Sequence, residues 1–411
     1  MIKAQRGTKD IFGEEIPTWQ WIIDNAKRVF QNACFEEIKT PIFEATELFA
    51  RGVGDSTDIV NKEMYTFSVG GASKDLTSIT LRPENTAGVV RSYIEHNLNR
   101  LSPPQKFWYF GPMFRYERPQ AGRQRQFHQL GVEMFGIKEA SADAEVILAA
   151  VEFLKSIGLG NLEVELNSLG CTKCKNEYKE NIKKVLAPYL DKMCDDCKMR
   201  YEKNPLRILD CKNEECQKIF EIPEVKKVIL SDYICDDCRE HFEQLTKYLD
   251  ELDIKYSRNK MLVRGLDYYN RTVFEIKSAD LGSQSAVCGG GRYDGLVEML
   301  GGAPSPAVGF AMGVERLYTL VNKIEPKKID YFIVSQNTKE ALKLARKLRL
   351  ENKTVDFDMQ GRKFAKQLEK ASKTAKKAII LGEDEITQGF YSVKDLQTGE
   401  QNKIEKIEEL C

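Results

Sequence analysis

Eight of the eleven cysteines lie between Cys171 and Cys238, and no other feature constrains the fold of a segment so tightly. They fall as CTKC (Cys171, Cys174), CDDC (Cys194, Cys197), CKNEEC (Cys211, Cys216) and CDDC (Cys235, Cys238). Two thiolates on one tight turn can reach a single ion, and two such knuckles complete a tetrahedral zinc site with four thiolate ligands. The N-terminus, MIKAQRGTKDIFGEE, lacks the apolar core of a secretory signal, and no long uncharged apolar run offers a membrane span. The chain is therefore expected to be cytoplasmic, where disulfides seldom persist. The spacing predicts at least one structural zinc, with Cys194 and Cys197 as ligands. Either Cys211 and Cys216 or Cys235 and Cys238 complete the set, and eight thiols also suffice for two sites. The competing reading is free thiols on a surface insert. Charged runs such as KNEYKENIKK leave the segment poor in core-forming residues, so a metal would staple it.

The 411 residues suggest two or three domains, and 42% hydrophobic content supplies sizeable cores. Lys plus Arg and Asp plus Glu are each 62, so net charge points to no partner. From about Lys327 the pattern becomes IDYFIVSQ, KEALKLARKLRLE, KTVDFDMQ, RKFAKQLEKASKTA and KAIILG. Strands alternating with helices predict a small parallel α/β domain over 328–411, after a linker containing Pro326. Residues 339–377 carry thirteen Lys/Arg against five Asp/Glu. Such an excess is usually a solvated face, and it is also the footprint of a nucleic-acid contact. Residues 1–325 read as strands such as QFHQLGVEMFGI with flanking helices such as ADAEVILAAVEFLKSIG. That is an α+β plan on a largely antiparallel sheet. The cysteine-rich stretch, about 170–250, reads as a small domain inserted between two strand groups.

Three stretches carry candidate chemistry. In FRYERPQAGRQRQFHQLGVEMFG, from Phe114 to Gly136, two strand-like halves flank a loop with Arg115, Arg118, Arg123 and Arg125. Guanidinium groups clustered on a hairpin suit phosphate, which each can grip with two bonds, and Phe127 could stack on a base. In AVGFAMGVERL, from Ala307 to Leu317, Gly309 and Gly313 allow close backbone approach. A helix is expected from near Val314, with Arg316 on its first turn. LVRGLDYYNRTVFEI, from Leu262 to Ile276, reads as strand around Arg264 and the pair Tyr268 and Tyr269. In a strand, adjacent tyrosines point to opposite faces. Half-buried packing is the commoner fate of such residues.

The first two stretches resemble motifs 2 and 3 of the class II aminoacyl-tRNA synthetases. Motif 1 is echoed in CFEEIKTPIFEATELF, with Pro41 expected where a helix gives way to a strand. RGTKD at Arg6 to Asp10, the tyrosine stretch and GGGRYDGL at Gly289 to Leu296 narrow the resemblance to the histidyl-tRNA synthetase family. It spans nearly the whole chain, including a C-terminal domain like the family's anticodon-binding domain. The resemblance implies a class II catalytic domain acting as a homodimer on histidine, ATP with Mg2+, and tRNA(His). It implies that Glu133 accepts from the imidazole N–H while Tyr269 supplies a hydroxyl, with Tyr268 and Tyr293 shaping the pocket. Glu84, Thr86 and Gln129 would take the substrate ammonium, with Asn85 standing where the family has glycine. Arg115 would hold the α-phosphate and the carboxylate. Arg123 and Arg316 would hold the distal phosphates and adenine, with Phe127 under the ring. Arg264 would take the place of a metal ion used by related synthetases, and Gln120 would face the tRNA acceptor stem. The same fold also serves as a regulatory subunit of ATP phosphoribosyltransferase, which lacks the anticodon domain and the arginine set.

Overall fold

The computed structural model describes every residue except 55, 56, 58, 71–76, 121, 279–285 and 411. The chain divides into two compact units, Met1–Ile324 and Glu325–Cys411. The first begins with helix α1 (Ile16–Asn32), then β1 (Glu36–Glu37), β2 (Phe43–Ala45), α2 (Thr46–Val53), β3 (Tyr65–Val69) and β4 (Thr77–Leu81). Helix α3 (Thr86–Glu95), the hairpin β5 (Gln105–Phe114) and β6 (Gln126–Phe135), α4 (Ala140–Ser156) and β7 (Leu162–Ser168) follow. The cysteine-rich stretch forms α5 (Thr172–Leu186), α6 (Asp195–Lys203), α7 (Glu214–Phe220), α8 (Pro223–Ile229) and α9 (Asp236–Glu251). The unit closes with β8 (Tyr256–Arg258), β9 (Asn270–Ser278), β10 (Ala286–Arg292), α10 (Leu296–Met299), β11 (Ala307–Gly313) and α11 (Val314–Leu320).

Eight strands make one sheet in the order β1-β5-β6-β11-β10-β9-β7-β8. It is antiparallel from β5 across to β7 and parallel at the two edge pairs, β1 with β5 and β7 with β8. A second sheet, β2-β4-β3, is antiparallel throughout. The two-residue period of a strand divides the large sheet into two faces with different tasks. Leu130, Val132 and Met134 of β6, Phe274 and Ile276 of β9, and Phe310 and Met312 of β11 pack into one core with α1, α4 and α9. Helix α1 meets it with Trp19, Ile22, Ala26 and Phe30, whose spacing makes one helical stripe. Truncating a ring in such a core, for example Phe310→Ala, costs about 3–5 kcal/mol. The residues between these, on the opposite face, are the ones that build the site.

Three local expectations differ from the structure, and the structure also accounts for Asn85. Pro41 stands between β1 and β2, since α1 ends at Asn32. Tyr268 and Tyr269 precede β9, on a turn and not in a strand, so the alternation rule does not apply to them. Asn85 has an ordinary right-handed φ of −113°. Its side chain explains its presence better, since Asn85 Oδ1 accepts from Thr40 Oγ1 at 2.6 Å and from Arg82 Nη1 at 3.3 Å. The cysteine-rich stretch is also richer in core residues than its charged runs suggest. Tyr178, Ile182, Leu206, Ile208, Phe220 and Ile229 are buried in a core shared with Tyr268, Tyr269 and Tyr293.

In the second unit β12 (Ile329–Val334), α12 (Thr338–Leu350), β13 (Val355–Phe357), α13 (Phe364–Thr374) and β14 (Ala375–Ile380) alternate as the sequence pattern requires. The sheet order is β13-β12-β14, parallel, continued antiparallel by β15 (Tyr391–Asp395) and β16 (Gln401–Ile404). Helix α14 (Glu383–Gln388) connects the two parts. The antiparallel extension is a departure from the purely parallel pattern, because YSVKDLQTGEQNKI carries a hairpin and no crossover helix.

Candidate active site

Phe127, Gln129, Gly131 and Glu133 follow one another along the non-core face of β6. The neighbouring strands present small residues to the same face. Glu133 lies beside Gly309, which lies beside Gly291, while Gly131 lies beside Ala311 and then Gly289. A side chain at these glycines would meet functional groups: the Glu133 carboxylate at Gly309, the Arg264 guanidinium at Gly289, and the Tyr269 ring at Gly291. The glycines thus hollow a trough into the sheet.

Buried polar groups fill its inner end. Thr86 Oγ1 donates to Glu133 Oε1 at 2.8 Å and the Tyr109 hydroxyl reaches the same oxygen at 3.4 Å. Tyr293 donates its hydroxyl to Glu133 Oε2. Burial pushes the Glu133 carboxyl up to about 8, against the three hydroxyls that favour its ionised form. The rings of Tyr268 and Tyr269 lie 4.6 Å apart, and that of Tyr268 lies 5.5 Å from Tyr293. Both members of the pair therefore serve one cluster. Glu84 caps α3, accepting from Thr86 N at 2.7 Å and Ala87 N at 2.9 Å. Burial raises its carboxyl as well.

Towards its outer end the trough opens into a cleft of about 910 Å³, bordered by Arg115, Arg123, Phe127, Gln129, Arg264 and Arg316. Arg115 Nε donates to Pro83 O at 2.8 Å, and its guanidinium lies 5.2 Å from the centre of the Phe127 ring. Arg264 pairs with Glu275. Arg316 reaches Ala286 O from the first turn of α11. Burial and the positive charge of Arg123 lower the Arg316 pKa, so two cations face the same space. Two buried atoms, Gln129 Oε1 and Arg264 Nε, have no partner among the described residues. Unspent hydrogen-bonding capacity on a cleft wall is what a polar ligand requires.

Of the remaining sequence candidates, Gln120 is exposed and bonds Arg123 backbone to backbone at the loop tip; Ala121 lies outside the described residues. Arg125 is loop framework, stacked 4.0 Å over Tyr116, and Arg118 is exposed. Sequence reasoning missed Tyr109, which reaches Glu133, and Glu275, which pairs with Arg264; only strand alternation on β5 and β9 could have pointed to them. The cysteines form two groups, Cys194/Cys197/Cys211/Cys216 and Cys171/Cys174/Cys235/Cys238, with sulfurs within 4.8 Å of one another in each. Cys235 and Cys238 therefore pair with Cys171 and Cys174, not with Cys194 and Cys197.

A polar trough joined to an arginine-bordered cleft on an antiparallel sheet fits amino-acid activation, and comparison with known proteins narrows the family. The family model for histidyl-tRNA synthetase matches residues 7–317, and one for an anticodon binding domain matches 325–410. The chain belongs to the histidyl-tRNA synthetase family. It is similar to the histidine–tRNA ligase of Halothermothrix orenii, 48% identical over 100% of this chain and 99% of that one. The histidine–tRNA ligase of Caldanaerobacter subterraneus subsp. tengcongensis is also 48% identical, over 98% of this chain and 97% of the relative. The crystal structure of apo S. aureus histidyl-tRNA synthetase superposes with a TM-score of 0.80 at 37% identity, covering 98% of this chain and 97% of the other. The fold is accordingly that of a class II histidyl-tRNA synthetase, with a catalytic domain and a C-terminal anticodon-binding domain.

Proposed function

We propose that the trough binds histidine, that the cleft binds MgATP, and that the chain joins them as a histidine–tRNA ligase. The observation that carries this is Glu133: a buried, hydroxyl-ringed carboxylate on the same strand face as the arginine-bordered cleft. Neutral imidazole offers one N–H and one bare nitrogen. Glu133 Oε2 retains a lone pair for the first, and the Tyr269 hydroxyl answers the second. A buried pair of this kind rejects an analogue lacking the ring nitrogens by ~10⁴-fold, because its own groups are then left unpaired. Gln129 Oε1, Glu84 and Thr86 accept the three N–H groups of the ammonium.

In the first step the histidine carboxylate attacks the α-phosphorus of ATP and pyrophosphate leaves. Arg115 and Arg264 face the charge that builds on the α-phosphate, and fixed cations act more strongly there than in the ground state. Arg123 and Arg316 hold the distal phosphates, whose magnesium ion arrives with the nucleotide, and Phe127 lies under the adenine. In the second step the ribose hydroxyl at the tRNA(His) 3′ end attacks the acyl carbon and AMP leaves, with Gln120 near the acceptor stem.

The small sheet turns Phe43, Phe67 and Val69, all exposed, to one face, which suits a second copy of the chain in a homodimer. No described helix is long and apolar enough to cross a membrane. We place the work in the cytoplasm, where eight reduced cysteines persist, and assign the insert at least one structural zinc. Charging of bulk tRNA with labelled histidine tests the ligase reading. Histidine is expected to be incorporated and alanine, proline and threonine not; incorporation of another amino acid in its place would overturn the assignment.

A further inference from the structure

We infer that the insert holds two zinc ions, one at Cys171/Cys174/Cys235/Cys238 and one at Cys194/Cys197/Cys211/Cys216, and that both brace the Gly265–Tyr269 loop of the substrate site. The second half of this inference rests on the reading of the trough given above.

The sulfur geometry comes first. A tetrahedral ion with zinc–sulfur bonds of about 2.3 Å places its sulfurs about 3.8 Å apart. Cys194 and Cys211 sulfurs lie 3.8 Å apart and those of Cys171 and Cys174 3.5 Å, far beyond a disulfide bond. All four sulfurs of each group are mutually close, which suits one central ion better than two bonded pairs. Each CxxC also opens a helix: Cys171 precedes α5, Cys194 precedes α6 and Cys235 precedes α9, all with extended backbone. The knuckles then bond each other. Cys171 N donates to Cys238 Sγ at 3.2 Å and Cys235 N donates to Cys174 Sγ at 3.1 Å. In the other group Cys194 N donates to Cys216 Sγ and Asn213 N to Cys211 Sγ, each at 3.4 Å. Backbone N–H groups on sulfur stabilise the thiolate form that a metal needs.

Each group is tied to the same loop. Lys175, next to Cys174, donates to Asp267 O at 2.7 Å and Tyr269 O at 2.8 Å. Between the knuckles of the other group, Asn204 Nδ2 donates to Asp267 Oδ1 at 2.5 Å and Arg207 Nη1 to Gly265 O at 2.6 Å. Arg207 and Asp210 also border the cleft. The loop that carries Tyr268 and Tyr269 is thus gripped from two sides by segments whose positions the cysteines set. The ions act through these segments, and no substrate touches them.

Full-length protein purified with reductant and without chelator is analysed for zinc, and its histidine KM is measured by ATP–pyrophosphate exchange. Two zinc ions per chain are expected. Cys197→Ser and Cys238→Ser are each expected to lose one ion and to raise the histidine KM by ~10-fold or more, with a smaller change in kcat, since small displacements of binding groups cost that much. One zinc or none in the wild type overturns the two-site assignment. Loss of an ion with an unchanged KM overturns the bracing. If a serine variant does not fold, cobalt(II) replacement in the wild type decides: two equivalents with tetrahedral thiolate spectra are expected, and fewer overturn the assignment. Two zinc ions in protein without histidine-dependent exchange would support the metal sites and strike the ligase reading alone.

Discussion

Arg264 and Glu275 form an ion pair above Gly289, so the cation beside the cleft is aimed by the protein itself. Arg264→Ala is expected to slow histidine-dependent ATP–pyrophosphate exchange by ~10²-fold or more while histidine binding changes less, because the charge acts mainly in the transition state. An exchange rate equal to wild type would remove Arg264 from the reaction.

Gly289→Ala tests the same arrangement without touching the arginine. The added methyl would meet the Arg264 guanidinium, yet Gly289 is outside the positive-φ region, so the backbone accepts alanine. Exchange activity is expected to fall by ~10-fold or more through displacement of Arg264. Unaltered kinetics in a folded variant would mean that the guanidinium need not lie over this glycine.

Glu133 makes stability depend on pH. Without substrate, burial lifts its folded-state pKa from 4.5 to about 8, so the unliganded folded chain keeps a proton that the unfolded chain releases in this window, whereas an imidazole N–H donated to Glu133 favours the ionised form that binding uses. The contribution is fully present below pH 4.5 and is lost as pH rises to about 8, at up to about 1.4 kcal/mol per pH unit. Glu133→Gln has no such proton. Its stability relative to wild type is expected to improve steadily from pH 4.5 to 8. Unfolding can be followed by tryptophan fluorescence, since Trp19, Trp21 and Trp108 all lie in the first unit. Parallel stability curves would show that Glu133 is ionised throughout.

Much of the hairpin β5–β6 was legible, because its apolar runs and polar arginine loop are contiguous in sequence. Arg316 on the first turn of α11 was legible for the same reason, since a glycine-rich strand ran directly into a helix. The tyrosine pair was not, because Gly265 and Asp267 turn the chain before β9 begins and cancel the alternation that strand residues obey. The insert's core was hidden by short helices: Ile182, Leu206 and Phe220 each sit among charges, and only their meeting in space makes a core. Cysteine pairing was likewise a long-range matter, since Cys174 Sγ accepts from the backbone N–H of Cys235 across the three intervening helices α6, α7 and α8.

Removing Glu325–Cys411 is expected to spare histidine-dependent exchange and to weaken tRNA charging. The removed unit has its own apolar cores, and its helices carry the basic excess of 339–377. Binding through these helices should weaken as salt rises, through counterion release. Equal tRNA affinity with and without this unit would rule out its helices as a tRNA contact.

The most direct measurement is ATP–pyrophosphate exchange by the purified chain with each of the common amino acids supplied singly. Exchange is expected with histidine and to stay at background with the rest, because only imidazole satisfies both Glu133 and Tyr269. Exchange driven by another amino acid would place a different side chain in the trough. Background exchange with all of them would leave the fold with a regulatory role and no activation chemistry.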